Sequence, residues 1–184
     1  MFATKIYIAS VKSLQDKEVF DRFYNIVPEY RRKKIDAYSE LKDKCLSLGA
    51  GLLLSKAVKD SGFDETELDY AYRESGMPYF KNAKEIFFSL SHSNERVMCG
   101  ISSNPIGVDV EFIKDKQMDY EHWTKTESYA KATDTSLAIL LEGKTVFNTE
   151  YRFLFPEYKD GYKYAVCSEE FINPEIIEYI KAFN

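Results

Sequence analysis

Residues 45–60, CLSLGAGLLLSKAVKD, carry apolar side chains nearly all the way round a helical wheel. A helix of that kind is stable only when it is buried. The rest of the chain must therefore supply layers that cover it. The flanking segments have the right periods to do so. IYIAS (6–10) reads as a strand. Ser13 is placed to cap a helix that brings Val19, Phe20, Phe23, Tyr24 and Val27 onto one face, with Pro28 as its interruption. A second helical pattern, Tyr30–Leu41, opens with the basic run Arg31-Arg32-Lys33-Lys34, and Ser61-Gly62 ends the buried helix. After a turn at Glu74-Ser75-Gly76-Met77-Pro78 come three strands, Ile86–Leu90, Val97–Ile101 and Ile106–Val110. Asn94-Glu95-Arg96 joins the first two as a hairpin. Tyr120–Ala132 is helical in pattern. Tyr151–Phe155 and Lys163–Ser168 form a closing hairpin turned by Lys159-Asp160-Gly161, and Pro174 precedes a short last helix. Helices and hairpins are interspersed, so the expected class is α+β. Asn104-Pro105 marks the boundary between an N-terminal half, 1–104, and a C-terminal half, 105–184.

The chain has 184 residues and a net charge of −5, which argues against a nucleic-acid partner, whose phosphates must be neutralised. No apolar run reaches membrane-spanning length, and MFATKIYIASV lacks the regions of a signal peptide. A cytoplasmic protein with no membrane partner is expected. Cys45, Cys99 and Cys167 lie far apart among apolar neighbours and read as reduced packing residues. With His92 and His122 as the only histidines, a histidine-rich transition-metal site is not expected.

Three local patterns carry possible chemistry. In IGVDVE (106–111), strand alternation sends Asp109 and Glu111 to one face and Val108 and Val110 to the core. The two carboxylates start about 6–7 Å apart at their backbones, and their repulsion is about 1–3 kcal/mol at intermediate dielectric. Alternation alone fits two readings: an exposed edge with two solvated acids, or an oxygen-only pair suited to a hard cation such as Mg²⁺. In WTKTESYAKA (123–132), Glu127 and Lys131 stand at i and i+4. They are either a surface ion pair or a third carboxylate with a cation beside it. In FFSLSHS (87–93), an apolar strand ends in the polar cluster Ser91-His92-Ser93, where a histidine is either structural or faces an anion.

Taken in order, FSLSHS, a strand, IGVDVE and W-T-x-x-E-S-Y-x-K-A resemble the 4′-phosphopantetheinyl transferase superfamily. YKYAVCSEE (162–170) is similar to its closing strand. PEYRRKK (28–34), SLGAGLLL (47–54) and GMPYF (76–80) resemble the N-terminal half of its longer, surfactin-synthetase-activating (Sfp-like) type. The resemblance implies two similar α+β halves with the site in the cleft between them. It implies transfer of the phosphopantetheine arm of coenzyme A to a serine of an acyl or peptidyl carrier protein, with release of 3′,5′-ADP. By motif position, Asp109, Glu111 and Glu127 would hold Mg²⁺. Glu127 would take the proton of the carrier serine, and Lys131 would stabilise the leaving nucleotide. His92, Lys33 and Ser47 match positions that contact the 3′-phosphate, with Lys44 as the nearest cation to a missing arginine. Pro78 would lie near the adenine. A monomer is the implied state. Several positions depart from the pattern: Tyr30, Leu46, Met77 and Thr126 stand where cations are usual, and the stretch between Glu111 and Trp123 is short. Those departures also suit a degenerate homologue that binds coenzyme A or a carrier protein without turnover.

Overall fold

The all-round apolar segment is one continuous helix, α3 (Leu41–Asp60), in a computed structural model that describes residues 1–142, 146–179 and 183. It lies across a four-stranded sheet. β1 (Lys5–Ser10) is central and pairs antiparallel with β5 (Arg96–Ser102), which pairs antiparallel with β4 (Phe87–Ser93). On its other edge β1 pairs parallel with β9 (Glu175–Tyr179). The helices α1 (Lys17–Tyr24) and α2 (Glu29–Asp36) precede α3. β2 (Tyr70–Tyr72) and β3 (Pro78–Phe80) make a small antiparallel ribbon closed by Gly76, at φ +83°. A second, antiparallel sheet runs in the order β6 (Ile106–Phe112), β8 (Tyr162–Ser168), β7 (Arg152–Leu154). It carries α4 (Tyr120–Thr133), which is followed by α5 (Leu137–Glu142).

Strand alternation explains the layering. Tyr7 and Ala9 of β1, with Val97, Cys99 and Ile101 of β5, pack under α3 with Leu48, Leu53 and Leu54. The opposite faces of the same strands send Ile6, Ile8 and Met98 against Val108, Val110, Tyr164 and Val166 of the second sheet. The two sheets thus stack through an apolar seam, with α3 outside one and α4 outside the other. Leu54, on α3 itself, is fully buried against the sheet. Leu54→Ala is expected to cost about 2–5 kcal/mol, readable as a lower urea midpoint with an unchanged slope.

The α+β class stands, and eight of the strand and helix segments expected from the sequence form near the expected bounds. Three expectations are corrected. The α1 cap is Asp16, not Ser13: its carboxylate accepts from Glu18 N–H at 2.9 Å and Val19 N–H at 3.1 Å, while Ser13 lies in a short 3₁₀ turn. The second helix ends at Asp36 and does not run to Leu41. Pro174 introduces β9 and not a helix, because residues 175–179 find a long-range partner in β1. Cys45, Cys99 and Cys167 are buried free thiols. Among the described residues, no helix is long and apolar enough to cross a membrane.

Candidate active site

The site sits where β6 meets α4. Alternation puts Gly107, Asp109 and Glu111 on the face of β6 turned away from the apolar seam. Gly107 lets the helix in: a Cβ there would fall 1.9 Å from the Ser128 carbonyl oxygen and 2.6 Å from the Ala132 nitrogen. The close approach brings Glu127 and Lys131, one turn apart on α4, over the strand's two acids. One oxygen from each of Asp109, Glu111 and Glu127 can lie within 4.8 Å of the others. The solvated-edge reading of the strand acids fails for Asp109, which is 1% exposed.

The cluster is tightly wired. Lys131 Nζ donates to Asp109 Oδ1 at 2.7 Å and to the Val108 carbonyl at 3.1 Å, and stands 3.4 Å from Glu127 Oε2. Ser91 donates to the same Asp109 Oδ1 at 2.8 Å, and Ser93 to Glu111 Oε2 at 2.8 Å. Among the described residues, Asp109 Oδ2 is buried without a hydrogen-bond partner. Loss of water around Glu127, then the Asp109 charge, push its carboxyl up to about 6, against the opposing pull of Lys131. Burial works against the Lys131 charge, yet the two carboxylates outweigh it and its pKa rises. His92 is exposed near the end of β4; partial desolvation first, then the Lys131 ammonium, lowers its pKa. An unpaired buried carboxylate oxygen costs free energy unless something positive meets it. Three carboxylates without nitrogen or sulfur donors suit a hard divalent ion, so these residues fit the ion that the resemblance implies.

A cavity of about 670 Å³ adjoins the cluster, with Met77, Pro78, Tyr79, Ser89, Ile106 and Lys131 in its wall. A neighbouring recess of about 420 Å³ shares Met77 and Lys131 and adds Glu127. Asp134 links the β2–β3 turn to the end of α4, accepting from the Ser75 hydroxyl at 2.7 Å and from Arg73 at 3.4 Å. Its φ of +53° is the left-handed conformation that Asp tolerates better than most residues.

The other singled-out residues are more scattered. Pro78 lines the cavity. Ser47 is buried, and its hydroxyl has no partner among the described residues. Lys33 is exposed and paired with Glu29 at 2.8 Å. Lys44 is half-buried in the first turns of α3. Tyr30 stacks on Tyr70 at 4.3 Å and donates to Glu65 at 2.7 Å, and Leu46 is buried. Lys125 lies over the rings of Phe147 and Phe153, at 4.4 and 4.8 Å, so it does not take the place of a cation at Thr126. Thr126 itself is buried and bonds back to the His122 carbonyl at 2.8 Å. The short 112–122 stretch suffices to deliver α4: Tyr120 accepts from the Lys114 and Asp115 N–H groups, and Asp119 caps the helix at His122 N–H, 2.9 Å. Sequence reasoning noted Ser91 and Ser93 only as a polar cluster and missed their bonds to the acids. The signal was their spacing of two, which matches that of Asp109 and Glu111.

No family model matches this chain. Curated proteins do, along most of its length. It is 25% identical over 189 residues to a 4′-phosphopantetheinyl transferase of Bacillus subtilis, covering 80% of this chain and 84% of that one. It is 24% identical over 193 residues to the 4′-phosphopantetheinyl transferase gsp of Aneurinibacillus migulanus, covering 83% and 81%. These proteins, named as 4′-phosphopantetheinyl transferases, are similar to this chain along most of its length. Its similarity to the transferase Sfp of Bacillus subtilis (strain 168) runs nearly end to end, at 23% identity over 217 residues covering 96% of this chain and 97% of Sfp.

Proposed function

We propose that the chain transfers the 4′-phosphopantetheine arm of coenzyme A to a serine of an apo acyl or peptidyl carrier protein, Mg²⁺-dependent, acting as a cytoplasmic monomer. The observation that carries the reading is the convergence of Asp109, Glu111 and Glu127 around a buried, unpaired carboxylate oxygen, in a chain whose relatives are transferases of this name. In this reading residues 1–104 supply contacts to the nucleotide and residues 105–184 the metal ligands and catalytic groups.

The transferred group would move as follows. The carrier serine oxygen bonds to the phosphorus that bears the pantetheine arm, and the bond from that phosphorus to the bridging oxygen breaks, releasing 3′,5′-ADP. When bound by the three acids, Mg²⁺ supplies charge stabilisation at the pyrophosphate. Glu127 takes the proton of the serine hydroxyl. Lys131, between the acids and the cavity, steadies the charge that gathers on the departing phosphate. The cavity beside Pro78 receives the nucleotide. His92, Lys33, Lys44 and Ser47 are assigned to its phosphate end.

Mass spectrometry of an apo carrier protein incubated with coenzyme A, Mg²⁺ and this protein tests the reading. A gain of the phosphopantetheine mass is expected. Coenzyme A binding without that gain, across carriers from fatty-acid, polyketide and peptide synthesis, would leave a binding protein without turnover in its place.

A further inference from the structure

Among the described residues, β6 shares backbone ladder hydrogen bonds with β8 on one edge only. Its other edge faces β4, which belongs to the other sheet. There the N–H groups of Val108, Val110 and Phe112 donate to the hydroxyls of Ser89, Ser91 and Ser93, at 3.1, 3.3 and 3.0 Å. Three serines at alternate positions of β4 thus splice the two sheets through side chains. A serine hydroxyl has a single proton. With its oxygen already accepting from β6, each hydroxyl has its orientation restricted. Ser91 sends its proton to Asp109 Oδ1 and Ser93 sends its proton to Glu111 Oε2. Among the described residues, no carboxylate accepts from Ser89.

We infer that Ser91 and Ser93 are positioning residues for the ion site: each locks one strand carboxylate in the rotamer that turns it toward Glu127. The register makes this specific. Both strands repeat every two residues, so successive serines meet successive acids. In Asp109, Ser91 and Lys131 occupy the same oxygen, Oδ1, and this leaves Oδ2 open. Groups that orient metal ligands in this way are commonly worth 10–100-fold in metal affinity. The inference rests on the reading of the three acids as metal ligands.

The test is Mn²⁺ titration of the metal-free protein, followed by the paramagnetic signal of the free ion, with a thermal melt for each variant. Ser91→Ala and Ser93→Ala are each expected to weaken Mn²⁺ binding by about 10–100-fold. Ser93→Thr, which keeps the hydroxyl at a half-buried position, should restore most of the affinity. Ser89→Ala removes an equivalent splice to β6 but no carboxylate bond. It should lower the melting temperature and leave Mn²⁺ affinity within about twofold. Equal Mn²⁺ affinity in wild type, Ser91→Ala and Ser93→Ala would overturn the inference, as would an equal loss in Ser89→Ala, which would mark a general loosening. If Ser91→Ala fails to fold, Ser93→Ala decides alone. Absence of Mn²⁺ binding by the wild-type protein would instead overturn the metal-site reading, and this inference with it.

Discussion

Glu127→Gln is expected to lower transfer to a carrier protein by about 10²–10⁴-fold, the usual range for removal of a positioned general base. The swap keeps size and shape, so α4 stays on β6. An amide neither takes a proton from serine nor contributes charge to the three-acid cluster. Stability should move the other way. The folded protein holds this carboxyl at about 6 against an ordinary value of 4.5, so it binds the proton more tightly than the unfolded chain does. The stabilisation that proton gives is complete below pH 4.5 and is lost as the pH rises through 6. At pH 7, without metal, the ionised side chain is therefore a burden of about 1–2 kcal/mol. Gln relieves it, and the variant should melt at or above the wild-type temperature. Undiminished transfer by Glu127→Gln would refute the role given to this residue. A melting temperature several degrees lower would show that α4 needs the carboxylate for its placement.

Gly107→Ala is the second large effect. Its Cβ would meet the Ser128 carbonyl at 1.9 Å and the Ala132 nitrogen at 2.6 Å. Both are backbone atoms in the second half of α4 and cannot rotate aside. The helix must back away from β6. Overpacking of this kind costs about 3 kcal/mol, which lowers the melting temperature by about 6–12 °C in a chain of this size. The same movement carries Glu127 and Lys131 off Asp109. A misplacement of about 1 Å is enough to lose roughly 10²-fold in rate. A calorimetric melt and the carrier mass assay read the two effects together. A variant with wild-type stability would mean that the strand and helix tolerate more separation than the packing shows.

These cases show where local pattern suffices and where it stops. The strands β1, β4, β5, β6 and β8 were legible because alternation is a property of a few neighbouring residues. α3 was legible because all-round apolarity has few outlets. β9 was not: EIIEY carries strand formers, but the preceding Pro174 also fits a helix start, and what decides for a strand is pairing with β1, about 170 residues earlier. α5 was missed for a similar reason, being six residues long. Asp109, Glu111, Glu127 and Lys131 were found from motif order. Their wiring needed the three-dimensional register, since nothing local says that Ser91 bonds Asp109, eighteen residues on. Lys33 is the reverse case. Its charge is plain in the sequence, but the partner that occupies it in the structure, Glu29, is a near neighbour.

The lysine among the acids changes the net charge of the cluster. With Asp109, Glu111 and Glu127 ionised and Lys131 protonated, the group sums to −2. A divalent ion brings that sum to zero. Sodium or potassium would leave it at −1, and a trivalent ion would overshoot to +1. In the proposed reading Lys131 would act as a counterion within the cluster, leaving two negative charges rather than three for a bound ion to balance.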